Sequence, residues 1–296
     1  MTGRVLYGTG GRPVARTWVV LHQVSMDGGG QPIDSARTDA SGAYRLTAKR
    51  ADSSTIYVVS SWRAGIAYFS EPVTARAGPT ARLAPLYVYD TSASGPEVRV
   101  ARRLVTVAKL KGDGTRDVLE LVELENPGSA TRVALDSLRP TWAGAIPSVA
   151  IQFRVGQGDV SPQAVTLRGD SVAVFGPLPP RDRKQLSYSY VLPATVRRVS
   201  VPVDQPTQEV DLLLEDTAAV VTTAATGGKL DSLGIEDIEG RRFARYRTPA
   251  LAAGTPLAIA FSDRRFAPET LVPFVVGLAG VVLAIGFAVA LRRKPR

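Results

Sequence analysis

The sequence has no cysteine and a single histidine, His22, among its 296 residues. Without thiols there is no disulfide framework, no thiolate nucleophile and no cysteine-ligated metal. With one imidazole, a histidine-based zinc site is excluded and a Ser-His-Asp arrangement would hang on one residue. His22 stands in TWVVLHQV, a run that reads as a strand with no spaced partner motif. Long amphipathic stretches with capping signals are also missing, as is any βαβ pattern. GTGG at Gly8–Gly11 and DGGG at Asp27–Gly30 have no helix after them, so they read as hairpin loops rather than phosphate cradles. The run from Asp113 to Asp117, D-G-T-R-D, is too poor in ligands for a calcium loop. No metal or cofactor is expected.

Charge of one sign is in mild excess. The formal net charge is +9, and subtracting the four cations of the last five residues leaves about +5 on the rest. The basic residues are mostly arginines scattered in pairs, which falls short of a nucleic-acid footprint. The densest basic and aromatic run outside the tail is RRFARYR: Arg241, Arg242, Phe243, Arg245, Tyr246 and Arg247. Stacking of RNA bases on Phe243 and Tyr246 is disfavoured, because alternation along a strand puts them on opposite faces. Its place shortly before an apolar segment suggests anionic lipid head groups or an acidic partner, with a solvated strand as the plainer reading.

What the chain does contain is period-2 patterning. Thr17 to Val24, Ser54 to Ser60, Val98 to Leu110, Asp117 to Glu125, Ser187 to Leu192 and Pro256 to Phe261 read as strands, broken by Gly, Pro, Asn and Asp. In TDASGAY, the segment Asp39 to Gly42 fits a tight turn with Gly42 where φ must be positive, after which Tyr44 and Leu46 share a face. RGD at Arg168 to Asp170 reads as a hairpin turn between VTL and SVAVF. Leu230 to Ile238 is expected as a short helix or loop. Trp18, Trp62 and Trp142 are the only tryptophans, and core packing is their expected use. Glu120, Glu123 and Glu125 lie in one strand, with Glu123 and Glu125 on one face about 7 Å apart. Glycosidase carboxylates have comparable separations but normally come from different strands in a cleft. No catalytic constellation emerges, and the chain is expected not to be an enzyme.

The fold class that follows is mainly β: two, or three, tandem β-sandwich domains followed by one C-terminal transmembrane α-helix. The expected boundaries are 1–95, 96–216, a small membrane-proximal region 217–269, the helix 270–291 and a tail 292–296. The first stretch resembles the carboxypeptidase regulatory-like domain, a transthyretin-like seven-stranded sandwich. The matching features are a G-x-V start, PV before the second strand, TD-x-S-G-x-Y in a hairpin and a Y-x-V strand. These are turn and core residues; the resemblance implies a fold, and an accessory role without catalysis.

From Leu271 to Leu291 runs LVPFVVGLAGVVLAIGFAVAL, without a charge, amide or hydroxyl. As a helix it would span about 31 Å, enough to cross a bilayer. Arg292, Arg293, Lys294 and Arg296 follow it, so the positive-inside rule sets the C-terminus in the cytoplasm and the β-rich part outside. That orientation implies a bacterial cytoplasmic membrane protein with a periplasmic N-terminal portion. It also requires an export signal, and MTGRVLYGTGGRPV has no apolar core of the needed length. A tail-anchored protein facing the cytoplasm is the alternative. Gly280, Ala284 and Ala288 recur at i, i+4 and i+8, a small-residue stripe that permits close helix packing.

Two functions follow. The first is a non-catalytic subunit whose external β-domains dock on a larger membrane protein complex, with respiratory and photosynthetic complexes as candidates. The second is a ligand-binding or adhesion module that recognises glycan or peptide through the sandwich loops.

Overall fold

The computed structural model describes residues 1–8, 10–24, 30–48, 55–74, 81–223 and 230–262. The anchor Leu271–Leu291, its stripe Gly280, Ala284 and Ala288, and the tail cations Arg292, Arg293, Lys294 and Arg296 lie outside these residues. Among the described residues no helix is long and apolar enough to cross a membrane. The protein is mainly β, with sandwich-like sheets.

The first ten strands are β1 (Thr2–Tyr7), β2 (Arg12–Pro13), β3 (Trp18–Val24), β4 (Gly30–Arg37), β5 (Ala43–Arg45), β6 (Ile56–Arg63), β7 (Ile66–Phe69), β8 (Val73–Thr74), β9 (Leu86–Val88) and β10 (Thr91–Ser92). Next come β11 (Arg99–Val107), β12 (Arg116–Glu125), β13 (Thr131–Arg132), β14 (Trp142–Ala145), β15 (Ile151–Val155), β16 (Val165–Arg168), β17 (Ser171–Val174) and β18 (Lys184–Leu192). The last six are β19 (Arg198–Val201), β20 (Val210–Leu214), β21 (Val220–Thr223), β22 (Asp231–Ile238), β23 (Arg241–Thr248) and β24 (Leu257–Ala260). The stretch Leu230 to Ile238 therefore holds a strand, Asp231–Ile238, and not a short helix or loop. It pairs with β23 along nearly its whole length, and that ladder outweighs the weak β propensity of its Gly234 and acidic residues.

The residues fall into two compact units. The first comprises 1–97, 126–141 and 177–182; the second comprises 98–125, 142–176 and the rest.

In the first unit, one sheet runs β4-β3-β6-β7, with β8 also on β6, and the other runs β2-β1-β5, with β9 parallel to β1. Alternation along β3 and β6 sends Val19, Leu21, Tyr57 and Val59 inward, where all are at most 1% exposed. Val5, Tyr44, Leu46, Leu86 and Val88 join them in one cluster. The turn before β5 forms as its residues demand. The Gly42 amide donates to the Asp39 carbonyl at 3.0 Å, and Gly42 takes φ +72°. A Cβ at Gly42 would also meet the Val5 carbonyl oxygen at 2.5 Å, so this turn is held by its own geometry and by the adjacent strand.

The second unit is built on a seven-stranded sheet, β15-β18-β12-β11-β20-β23-β22, antiparallel except for the β11–β20 pair. Two three-stranded sheets, β14-β17-β16 and β19-β24-β21, complete it. Strand β12 shows strict alternation, with Val118, Glu120, Val122 and Leu124 buried and their neighbours half-exposed. Arg168 to Asp170 is the β16–β17 hairpin turn that its residues suggest, with Gly169 at φ +57°. Both edges of the large sheet are irregular: the register slips between Ile151 and Arg154 on β15 and between Ser232 and Gly234 on β22. The last described residues are tied down, since Asp216 accepts from the Ser262 amide at 2.9 Å and the Arg116 guanidinium lies 4.2 Å over the Phe261 ring.

Gly42→Ala should destabilise the first unit by more than about 1–2 kcal/mol, since it adds a backbone collision to the φ penalty. Gly11→Ala, at φ +65° with nothing near its Cβ position, should cost about 1 kcal/mol or less. Urea unfolding followed through the first unit's tyrosines would compare them, and equal losses would refute the close approach at Gly42.

Candidate functional site

Strands β3, β4, β6 and β7 have a second face, and on it the two first-unit tryptophans appear. The pairings Trp18↔Arg37 and Trp62↔Ala67, with Val19↔Ser61 between β3 and β6, set Arg37, Trp18, Trp62 and Ala67 in one row across four strands. The row two residues on holds Ser35, Val20, Ser60 and Phe69. Trp18 is 52% exposed, and Trp62 and Phe69 are each 60% exposed. Core packing is thus the wrong role for Trp18 and Trp62: β3 and β6 are apolar on both faces, and the inward set is the one containing Leu21 and Tyr57. Trp142 does pack in the core of its unit, at 7% exposed, with its indole N–H donating to Gln205 at 2.7 Å.

The surroundings of this face are polar. Arg37 lies over Trp18, its guanidinium carbon 4.8 Å from the ring centre. His22 shares the face, with Nε2 at 2.8 Å from the Ser60 hydroxyl and its ring 6.5 Å from that of Phe69. An ordinary outer sheet face carries polar side chains, and a monomer rarely leaves such large rings in water together. The sequence holds one signal for this: the 18-20-22 set contains both the tryptophan and the histidine, whereas 19 and 21 are purely aliphatic.

The carboxylates in β12 divide sharply. Glu120 is fully buried and accepts hydrogen bonds from Arg103 Nε at 2.7 Å, the Tyr188 hydroxyl at 3.0 Å and the Tyr190 hydroxyl at 2.8 Å. Arg103 completes its own set by donating to the Pro202 carbonyl at 2.6 Å. Burial opposes the guanidinium's charge, yet the Glu120 carboxylate beside it raises its pKa; burial first, then Glu120, hold both tyrosines far above their ordinary range. Glu123 and Glu125 instead face Arg183 at 3.6 and 3.9 Å. Each carboxylate is thus paired, and the arrangement is that of a structural network rather than of an acid and base in a cleft. Asp113 likewise caps its own turn, accepting from the Thr115 amide at 2.9 Å. Among the described residues no group of three His, Asp or Glu side chains could hold a metal ion.

The RRFARYR run is β23. Arg241 pairs with Glu215, Arg245 with Glu236 at 2.9 Å and with Asp211, and Arg247 with Asp211 at 2.9 Å. Asp211, only 1% exposed, also takes Arg102 Nε at 3.1 Å. Phe243 is buried and Arg242 is exposed on the other side of the strand. Three of the four arginines are therefore ion-paired within the sheet.

No protein-family model matches the chain, and no curated protein does. Among solved structures, a mutant two-domain M1 zinc metallopeptidase bound to L-tryptophan matches with TM-score 0.36 and 11% identity over 62% of this chain. A mutant M1 zinc metallopeptidase from Deinococcus radiodurans matches with TM-score 0.35 and 13% identity. The chain covers 47% of each of those structures. At such scores these likenesses carry no argument about activity.

Glu120→Gln leaves a buried guanidinium without its counter-charge and should cost about 3–5 kcal/mol. Arg103→Met and Glu120→Leu combined with Tyr188→Phe and Tyr190→Phe, which removes both charges and the two hydroxyls that donate to the carboxylate, should recover much of that loss. Chemical denaturation of the variants would decide, and a combined variant as unstable as the single one would sink the idea.

Acid should reveal Asp211. Burial pushes its carboxyl up, but hydrogen bonds from Arg247 and Arg102 outweigh this and hold it below the ordinary 3.8. A depressed folded value means that the stabilisation is complete above about pH 4 and is lost as pH falls through the folded pKa. Asp211→Asn should flatten the decline in thermal stability between about pH 4 and pH 2.

Proposed function

We propose that this chain is a non-catalytic, membrane-anchored accessory protein that docks on a larger membrane protein assembly through the aromatic face of its first unit. In this reading the β-rich part forms tandem β-sandwich domains, the first of the carboxypeptidase regulatory-like kind. It lies outside a bacterial cytoplasmic membrane, with Leu271–Leu291 as the anchor. The observation that carries the reading is the exposure of Trp18, Trp62 and Phe69 on three adjacent strands. Tryptophan and arginine dominate the energetics of protein interfaces, and Arg37 already stands over Trp18. Burying two indoles and a phenyl ring on a partner would gain several kcal/mol, at about 1.5–3 kcal/mol for each large apolar side chain.

A second reading, recognition of a glycan, draws support from the same face. Ser35, His22 and Arg37 offer hydrogen-bond groups between rings that could stack on sugar.

Trp18→Ser combined with Trp62→Ser changes only exposed side chains, so the fold should survive, as circular dichroism would verify. In mild detergent extracts of native membranes the unaltered chain should migrate within a large assembly. The double variant should migrate as the free chain. An assembly that persists in the double variant would overturn the docking surface. A free-running wild-type chain that is retained by cell-wall polysaccharide would favour the glycan reading instead.

A further inference from the structure

A second feature of the first unit shares only Arg37 with the aromatic face. Where edge strands β4 and β5 meet the start of β1 there is an open cavity of about 700 Å³, within the range of small-molecule sites. Four arginines line it, Arg4, Arg37, Arg45 and Arg82, against one carboxylate, Asp39. The strand register gathers them. Thr2 stands opposite Arg45 on one side and bridges to Arg82 on the other, while Arg4, two residues along β1, shares the face of Thr2. Arg45, Thr2 and Arg82 thus form a row across the sheet, with Arg4 diagonal to Arg45 at about 7 Å or less.

Arg37 also lies over the Trp18 ring, and Arg4 is near enough to lower the Asp39 pKa by its charge. None of the four has an ion-pair partner among the described residues, in contrast to the arginines of β23. One Asp39 carboxylate oxygen accepts from the Ser41 amide at 2.8 Å, the Ser41 hydroxyl at 2.8 Å and the Ala43 amide at 2.9 Å, so one negative charge stands against the four positive ones. Like charges on one concave wall repel, and an arrangement of this kind is relieved by an anion shared among the guanidinium forks.

We infer that this cavity is a binding site for a small soluble ligand that carries two or more oxyanion groups, phosphate or carboxylate, held by Arg4, Arg45 and Arg82 with Arg37 at the rim. The guanidinium fork matches either group bidentately, and a ligand with a single charge would leave most of the positive wall uncompensated.

The test uses the full chain purified in neutral detergent and titrated calorimetrically with inorganic pyrophosphate and with citrate. At least one of the two should bind at a single saturable site that persists at 0.15 M salt, where diffuse attraction is largely screened. Arg45→Ala combined with Arg82→Ala should weaken that binding at least about tenfold, the loss of two charge-assisted contacts. Arg99→Ala combined with Arg198→Ala removes the same charge from exposed positions of the second unit and should leave affinity unchanged. Absence of saturable binding of both probes, or equal losses in the two double variants, would overturn the site. Neither result touches the aromatic docking face, which is tested through the tryptophans alone.

Discussion

The second unit is organised around one ion pair. Arg103 on β11 and Glu120 on β12 sit in the interior of a seven-stranded sheet, and neither could tolerate that position alone. Two tyrosines on β18 saturate the carboxylate, and the Pro202 carbonyl beyond β19 takes part of the guanidinium. Such a network is a poor source of net stability, because desolvating the charges offsets their attraction. Its value is registration. A one-residue slip of β12 against β11 or β18 would turn Glu120 outward and abandon Arg103 in the core, so the alignment of three strands and the approach of the β19 segment are fixed together.

Opposite in character is the lattice around Asp211. There a single carboxylate collects Arg102, Arg245 and Arg247 from both neighbouring strands, at the boundary between core and water. A run that looks like a cationic patch when read along β23 is close to neutral when read across the sheet. Charge in a β protein is distributed at right angles to the chain, and linear counting of arginines misses this.

The same geometry explains what could be read beforehand. The six clearest period-2 runs all became strands, the Asp39–Gly42 turn formed with Gly42 left-handed, and the Arg168–Asp170 hairpin sits between the expected strands. Local chemistry decides these features, so local sequence suffices. Leu230 to Ile238 failed because its strand state comes from pairing with β23, which no window around Gly234 contains. Trp18 and Trp62 failed for a different reason. In strands apolar on both faces, alternation yields two candidate inward sets, and hydrophobicity alone favours burying the indole. The cavity arginines were invisible in turn, because Arg4, Arg45 and Arg82 come together only through pairings with Thr2 and Ala43.

The slipped registers at the two borders of the large sheet have a consequence for the molecule in a crowded compartment. A seven-stranded sheet ends in two rows of unsatisfied backbone groups, each able to recruit another chain and begin a self-templating stack. Here the bulge at Ser232/Gly234 twists one border away from a flat template, and Asp231, Glu236 and Asp237 add repulsion between copies. On the opposite border the slip between Ile151 and Arg154, with Gln152 in the left-handed region, does the same for β15. The two irregularities keep a long, sticky ribbon finite.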